Sequence, residues 1–176
     1  TCGACPSGCD VLGTSIVSIT CYSSKDLVNW KFENDVLTSK SKGWINAGWV
    51  GRMGVAYCQK TQKYVLLTQH DDNVLFATCS TPNGDFEVNN RQHQIQNVVY
   101  TGTGDQTVFI DDDGQAYLDF CNQRGRGHQY IAKLREKDFL EVEPAVEIKR
   151  GEGREGNCLF KYKGKELYNV GGGDSF

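Results

Sequence analysis

Two carboxylates, Glu155 and Asp105, stand fifty residues apart, each ahead of a short apolar run and each beside glycine, in Arg154-Glu155-Gly156-Asn157 and Gly104-Asp105-Gln106. A carboxyl group can donate a proton only while it holds one, and a second carboxylate close by raises its pKa by like-charge repulsion. Such a pair, if the fold brings it together, suits general acid catalysis. Arg154, next to Glu155, acts in the opposite sense. Each residue also has an ordinary reading, because Asp at a strand entrance is common turn chemistry and a loop Glu looks no different. Trp44, Trp49 and Arg52 come just before the run Gly54–Cys58. There they can meet a ligand, or the two tryptophans can pack inside the fold. His70, followed by Asp71 and Asp72, is a weaker candidate for the same place.

Other clusters carry less chemistry. Cys2, Cys5 and Cys9 form a C-x2-C-x3-C group with no His beside it. A closed zinc site needs four ligands, so the group reads as disulfides or free thiols in a loop. Cys21, Cys58, Cys79, Cys121 and Cys158 lie far apart in apolar surroundings and read as buried strand residues. The run Asp111-Asp112-Asp113 reads as a solvated hairpin tip, because three consecutive carboxylates cannot all point at one calcium ion. Gly171-Gly172-Gly173 lacks the strand-to-helix setting of a phosphate-binding loop. No Ser/His/Asp order emerges, and His128 reads as structural or surface.

The elements that must position the candidates are short strands: Ser15–Cys21, Gly54–Cys58, Lys63–Thr68, Val74–Cys79, Thr107–Ile110, Ala116–Phe120 and Gln129–Leu134. Runs of four to seven residues separated by Gly, Asn and Asp define an all-β fold. The best helical stretch, Lys133–Phe139, is too short to stand alone. Three segments, GVAYCQKTQKYVLL, TVFIDDDGQAYLDF and NCLFKYKGKELYNV, share one plan of strand, polar turn and strand. Tyr64 and Tyr117 lie 53 residues apart, and Tyr117 and Tyr168 lie 51 apart. An acidic-aromatic corner repeats with them: Trp30 and Phe86 are separated by 56 residues, Phe86 and Phe139 by 53. Repeats of about fifty residues, each of some four short strands, are the mark of β-propeller blades. Asp113-Gly114 and Lys163-Gly164 fall where a two-residue hairpin needs φ > 0.

Counting repeats gives a blade end (residues 1–42), two nearly whole blades (43–99 and 100–149) and an incomplete one (150–176). Closed propellers have at least four blades, so these three to three and a half predict part of a larger ring. Thr1 in place of Met agrees with a processed form or a fragment. The 176 residues carry 19 Lys+Arg against 22 Asp+Glu, with 39% hydrophobic and 11% aromatic residues. The slightly acidic balance and scattered basic residues argue against nucleic-acid binding driven by charge. No stretch approaches the ~20 apolar residues of a membrane-spanning helix.

GTGDQTVFIDDDGQAYL (Gly102–Leu118), followed fifty residues on by GREGNCLFKYKGKELY (Gly153–Tyr168), resembles the pattern of glycoside hydrolase family 43. So do YSSKDLVNWKFENDVL (Tyr22–Leu37) and the hairpin KTQKYVLL with the later STPNGDF (Ser80–Phe86). The resemblance implies a five-bladed propeller with an axial active site that hydrolyses arabinosides, xylosides or galactosides with inversion. It implies Glu155 as the general acid and Asp105 as the residue that tunes and orients it. The family's general base opens the inner strand of the first blade, a point before Thr1, so no residue here matches it. An inverting pair stands roughly 6.5–9.5 Å apart to admit water, a spacing that blade entrances around an axis can supply. Trp44, Trp49, Arg52 and His70 then become candidates for contact with an oligo- or polysaccharide, with aromatic faces stacking on sugar C–H surfaces. Galactan-active relatives resemble Glu-Arg-Pro where this chain has Gly51-Arg52-Met53. The chemistry calls for no cofactor, and the resemblance implies a secreted or periplasmic setting. The rival reading is a non-catalytic carbohydrate-binding or scaffolding propeller.

Overall fold

A computed structural model describes residues 18–100, 102–122, 127–151, 155–164 and 166–172. Cys2, Cys5, Cys9 and Arg154 lie outside the described residues. Twelve strands and no helix are found among those described: β1 (Ser18–Ser24), β2 (Trp30–Thr38), β3 (Val50–Cys58), β4 (Lys63–His70), β5 (Asn73–Cys79), β6 (Glu87–Gln92), β7 (Thr103–Ile110), β8 (Ala116–Asn122), β9 (His128–Lys133), β10 (Val146–Arg150), β11 (Glu155–Tyr162) and β12 (Glu166–Gly172). They make four antiparallel sheets: a β1-β2 pair, the four-stranded β3-β4-β5-β6 and β7-β8-β9-β10, and a β11-β12 pair. The fold is the all-β propeller expected from the fifty-residue repeat, with two four-stranded blades between partial ones.

Period-2 alternation splits each blade between two neighbours. On β4 and β5, Leu66, Leu75 and Ala77 face Ile19, Val36 and Leu37 of the preceding sheet. The alternate residues Val65, Leu67, Val74 and Phe76 join Ala116, Leu118, Phe120 and Tyr130 of the following one. The central strands therefore read as continuous apolar runs, being buried on both faces. Hydrogen bonds between blades recur one repeat apart. Phe86 N–H donates to the Val36 carbonyl at 2.8 Å, and Asn90 Nδ2 donates to the Leu140 carbonyl at 2.6 Å. Gln92 Nε2 donates to the Val142 carbonyl at 2.9 Å, and Val142 N–H donates to Gln92 Oε1 at 2.7 Å. Lys161 Nζ binds Asp112 at 2.8 Å and Asp111 as well.

Four sequence expectations are corrected in detail. Lys163-Gly164 is the two-residue turn predicted, with φ of 51° and 68°. At Asp113-Gly114 only Gly114 is left-handed (φ 83°). Gly114 N–H donates to the Asp111 carbonyl at 2.8 Å and Asp111 N–H to the Gln115 carbonyl at 2.9 Å, which is a type I turn closed by a glycine bulge. The Asp run is a hairpin tip, but Asp111 and Asp112 are tied to Lys161 of the next blade. The repeating corner is also out of phase. Asp26 Oδ1 accepts from Val28 N–H at 2.9 Å and Asp138 Oδ1 from Leu140 N–H at 3.1 Å, and the residue after each, Leu27 and Phe139, has φ near 60°. Leu27, and not Trp30, is thus the counterpart of Phe139 in turn position, although Leu27 is exposed and Phe139 is buried. Of the five scattered cysteines, Cys58 and Cys121 are buried, Cys21 and Cys79 are half-buried, and Cys158 is exposed.

Candidate active site

Strands β3, β7 and β11 lie side by side as the first strands of successive sheets. Each carries a bulge near its start. The β3–β4 register slips between Gly51 and Met53, leaving Arg52 with φ 52°. The β7–β8 register slips between Thr103 and Gln106, the interval that holds Gly104 and Asp105. The β11–β12 register slips between Glu155 and Cys158, where Gly156 has φ 61°. An extra residue bends a strand and re-aims its side chains, which is why bulges collect beside active sites. Glycine makes the β7 and β11 distortions feasible, whereas at β3 the left-handed residue is Arg52 itself. At Gly104 a Cβ would lie 2.6 Å from Cys121 Sγ, and Gly156 takes the left-handed conformation that other residues adopt at a cost.

The bulges bring two of the predicted residues into direct contact. Arg52 Nε donates to Asp105 Oδ1 at 2.9 Å. The other carboxylate oxygen, Oδ2, accepts the N–H of Gly156 at 2.8 Å, and Asn157 Nδ2 lies 3.5 Å from the Asp105 carbonyl. Asp105 is buried, while the Arg52 side chain is about half exposed. Asp105 thus joins the blade before it to the blade after it, and its second bond falls on the residue that follows Glu155. Glu155 opens β11 opposite Gly172. An open cleft of about 460 Å³ lies over this junction, lined by Trp49, Arg52, Gln69, Asp71, Asp72, Gly104 and Asp105.

Trp49 is 46% exposed and lines the cleft wall. Trp44 and His70 are placed elsewhere, contrary to the expectation that they meet a ligand. His70 is fully buried, donates from Nε2 to the Ile45 carbonyl at 2.7 Å and meets the Trp44 ring edge-on at 5.3 Å. Burial pushes its imidazole pKa below the ordinary value. The two rings therefore brace the chain that leads to Trp49 from behind and do not line the cleft. Sequence reading missed Gln69, which ends the apolar run of β4 and looks like its edge; its Nε2 donates to the Asp71 carbonyl at 3.0 Å. Gly104 was visible only as the neighbour of Asp105. Among the described residues no group of three or more His, Cys, Asp and Glu is placed to hold a metal ion.

A β-propeller with a carboxylate and a guanidinium clasped at the entrances of adjacent inner strands, beneath an open polar cleft edged by tryptophan, is a scaffold for acid–base chemistry on a polar substrate. Residues 12–172 match the sequence profile of the glycosyl hydrolases family 43, and the chain belongs to that family. Among solved structures it is similar to an exo-β-1,3-galactanase from Clostridium thermocellum, with 25% identity and a TM-score of 0.80 over 90% of this chain and 37% of that one. A family 43 β-1,3-galactosidase gives 25% identity and a TM-score of 0.79 over 94% of this chain and 36% of that one. An endo-1,4-β-xylanase from Bacteroides thetaiotaomicron gives 25% and 0.66 over 93% of this chain and 58% of that one. The chain spans little more than a third of the first two structures. No curated protein matches it.

Proposed function

We propose that this chain forms the acid side of the active site of an inverting glycoside hydrolase that cleaves galactosyl linkages in plant-type polysaccharides, with arabinosyl and xylosyl linkages as the neighbouring specificities. Glu155 is the general acid that protonates the leaving oxygen. Asp105 is its positioning partner: one oxygen is held by Arg52 and the other by the amide next to Glu155. This double anchorage is the observation that carries the reading. A fixed negative carboxylate beside Glu155 favours the protonated acid at the pH where it must donate. Arg52 and Trp49 present a guanidinium and an aromatic face to the sugar. The galactosyl preference is supported by the likeness to the exo-β-1,3-galactanase and the β-1,3-galactosidase. Polysaccharides of this kind lie outside cells, so a secreted or periplasmic setting goes with the reading.

The test is to incubate the whole natural protein with a β-1,3-galacto-oligosaccharide and follow the first-formed product by proton NMR. The expected product is galactose released initially as the α-anomer, the outcome of inversion. Initial β-anomer contradicts the mechanism. Sugar binding with no hydrolysis replaces it with a carbohydrate-binding propeller.

A further inference from the structure

We propose that Asp71 is a positioning residue that, together with Gly51, holds the Trp49 indole as a rigid stacking wall of the cleft. The inference rests on the glycan-cleft reading above and concerns a residue to which that reading gives no role. Asp71 occupies the turn between β4 and β5 with φ 53°, a left-handed conformation that Asp tolerates better than most residues but that still carries strain. Its carboxylate is spent on backbone. Oδ1 accepts the N–H groups of Gly48 at 2.9 Å and Trp49 at 3.0 Å. Its own N–H donates to the Trp49 carbonyl at 2.8 Å. Trp49 is therefore gripped at both its amide and its carbonyl by one residue 22 positions away. Arg91, 3.8 Å from Oδ2, steadies the carboxylate from the other side.

Gly51 supplies the second constraint. A Cβ there would lie 2.7 Å from Cη2 and 2.9 Å from Cζ2 of Trp49, so the six-membered ring lies directly on the Gly51 backbone. Any side chain at 51 evicts the indole from this seat. One face of the ring is thus backed by main chain, and Trp49 remains 46% exposed on the wall of the cleft that holds Arg52 and Asp105. An aromatic ring fixed in advance loses little freedom on binding, which strengthens stacking on a sugar face.

The test uses the whole natural protein with every tryptophan except Trp49, Trp30 and Trp44 among them, changed to Phe, so that Trp49 can be followed alone. Asp71→Gly removes the carboxylate while easing φ, and Asp71→Asn keeps an Oδ1 acceptor. Asp71→Gly is expected to raise acrylamide quenching of Trp49 roughly twofold as the indole gains freedom, and Asp71→Asn to restore the original value. With a β-1,3-galacto-oligosaccharide, Asp71→Gly is expected to raise KM about tenfold, equivalent to ~1.4 kcal/mol, with kcat little changed. Added to Trp49→Ala, it is expected to raise KM no further, because both changes remove one interaction. Unchanged quenching, or a KM effect that adds fully to that of Trp49→Ala, overturns the proposal. If the unaltered protein shows no turnover of the oligosaccharide, the proposed function falls and with it the sugar-stacking role, while the quenching comparison still decides whether Asp71 holds Trp49.

Discussion

Asp105 is the residue on which most of the site converges, since it takes a hydrogen bond from Arg52 on one blade and from Gly156 on the next. If its charge keeps Glu155 protonated, Asp105→Asn removes that repulsion and lowers the acid's pKa. The alkaline limb of the kcat/KM profile is then expected to move about one unit toward acid pH, with activity lost at neutral pH; an unmoved limb contradicts the role. The placement of Asp105 and Glu155 near the starts of the inner strands β7 and β11 was legible in the sequence from their fifty-residue phase. Arg52 and Trp49 were legible as residues preceding an inner strand. Trp44 and His70 were not separable from them, because burial against the core is settled by neighbours distant in sequence. The Gly51 that stands in the Gly-Arg-Met segment gained its explanation only from the Trp49 ring lying on it.

At the scale of elements, the central strands announced themselves and the outer ones did not. Residues of β4 and β5 are buried on both faces and read as apolar runs. In contrast, β6 (Glu87–Gln92) and β10 (Val146–Arg150) are polar or turn their apolar residues outward, so no alternation marks them. The three inner-strand bulges were equally hidden, because a register slip leaves no residue type of its own beyond a nearby glycine. Turn chemistry gives the clearest prediction here. Gly114 has φ 83°, and a Cβ there would touch only the far end of Gln59 at 3.6 Å. Gly114→Ala is therefore expected to cost about 1–2 kcal/mol through backbone conformation alone, measured by urea unfolding. A loss near zero would mean that the β7–β8 turn relaxes to another conformation.

Across the whole molecule, stability resides between blades, where hydrogen bonds repeat at one-repeat spacing and the apolar clusters span adjacent sheets. One interface is polar and titrates. Asp119, on β8, is fully buried and takes hydrogen bonds from Gln129 Nε2 at 3.2 Å and from Asn169 Nδ2 of the next sheet. Desolvation raises its pKa to about 6, with those two donors opposing the rise. Because the folded pKa lies above the unfolded one, its contribution is full below about pH 4 and is lost as pH rises through about 6. Glu147, held near 2 by Arg150 and His128, has finished titrating below this window. The chain is thus expected to lose about 2 kcal/mol between pH 4.5 and 7.5 relative to Asp119→Asn, read from urea midpoints of the two proteins. Parallel pH dependences would contradict it.

The central claim, that Glu155 is the general acid, is tested most directly by comparing two leaving groups on the Glu155→Gln variant of the whole protein. With a β-1,3-galacto-oligosaccharide, whose leaving oxygen needs a proton, kcat/KM is predicted to fall about 10²–10⁴-fold. With a dinitrophenyl galactoside, whose leaving group departs without one, activity is predicted to recover toward that of the unaltered protein. Equal activity of variant and unaltered protein on the oligosaccharide, or equal losses on both substrates, would contradict the assignment.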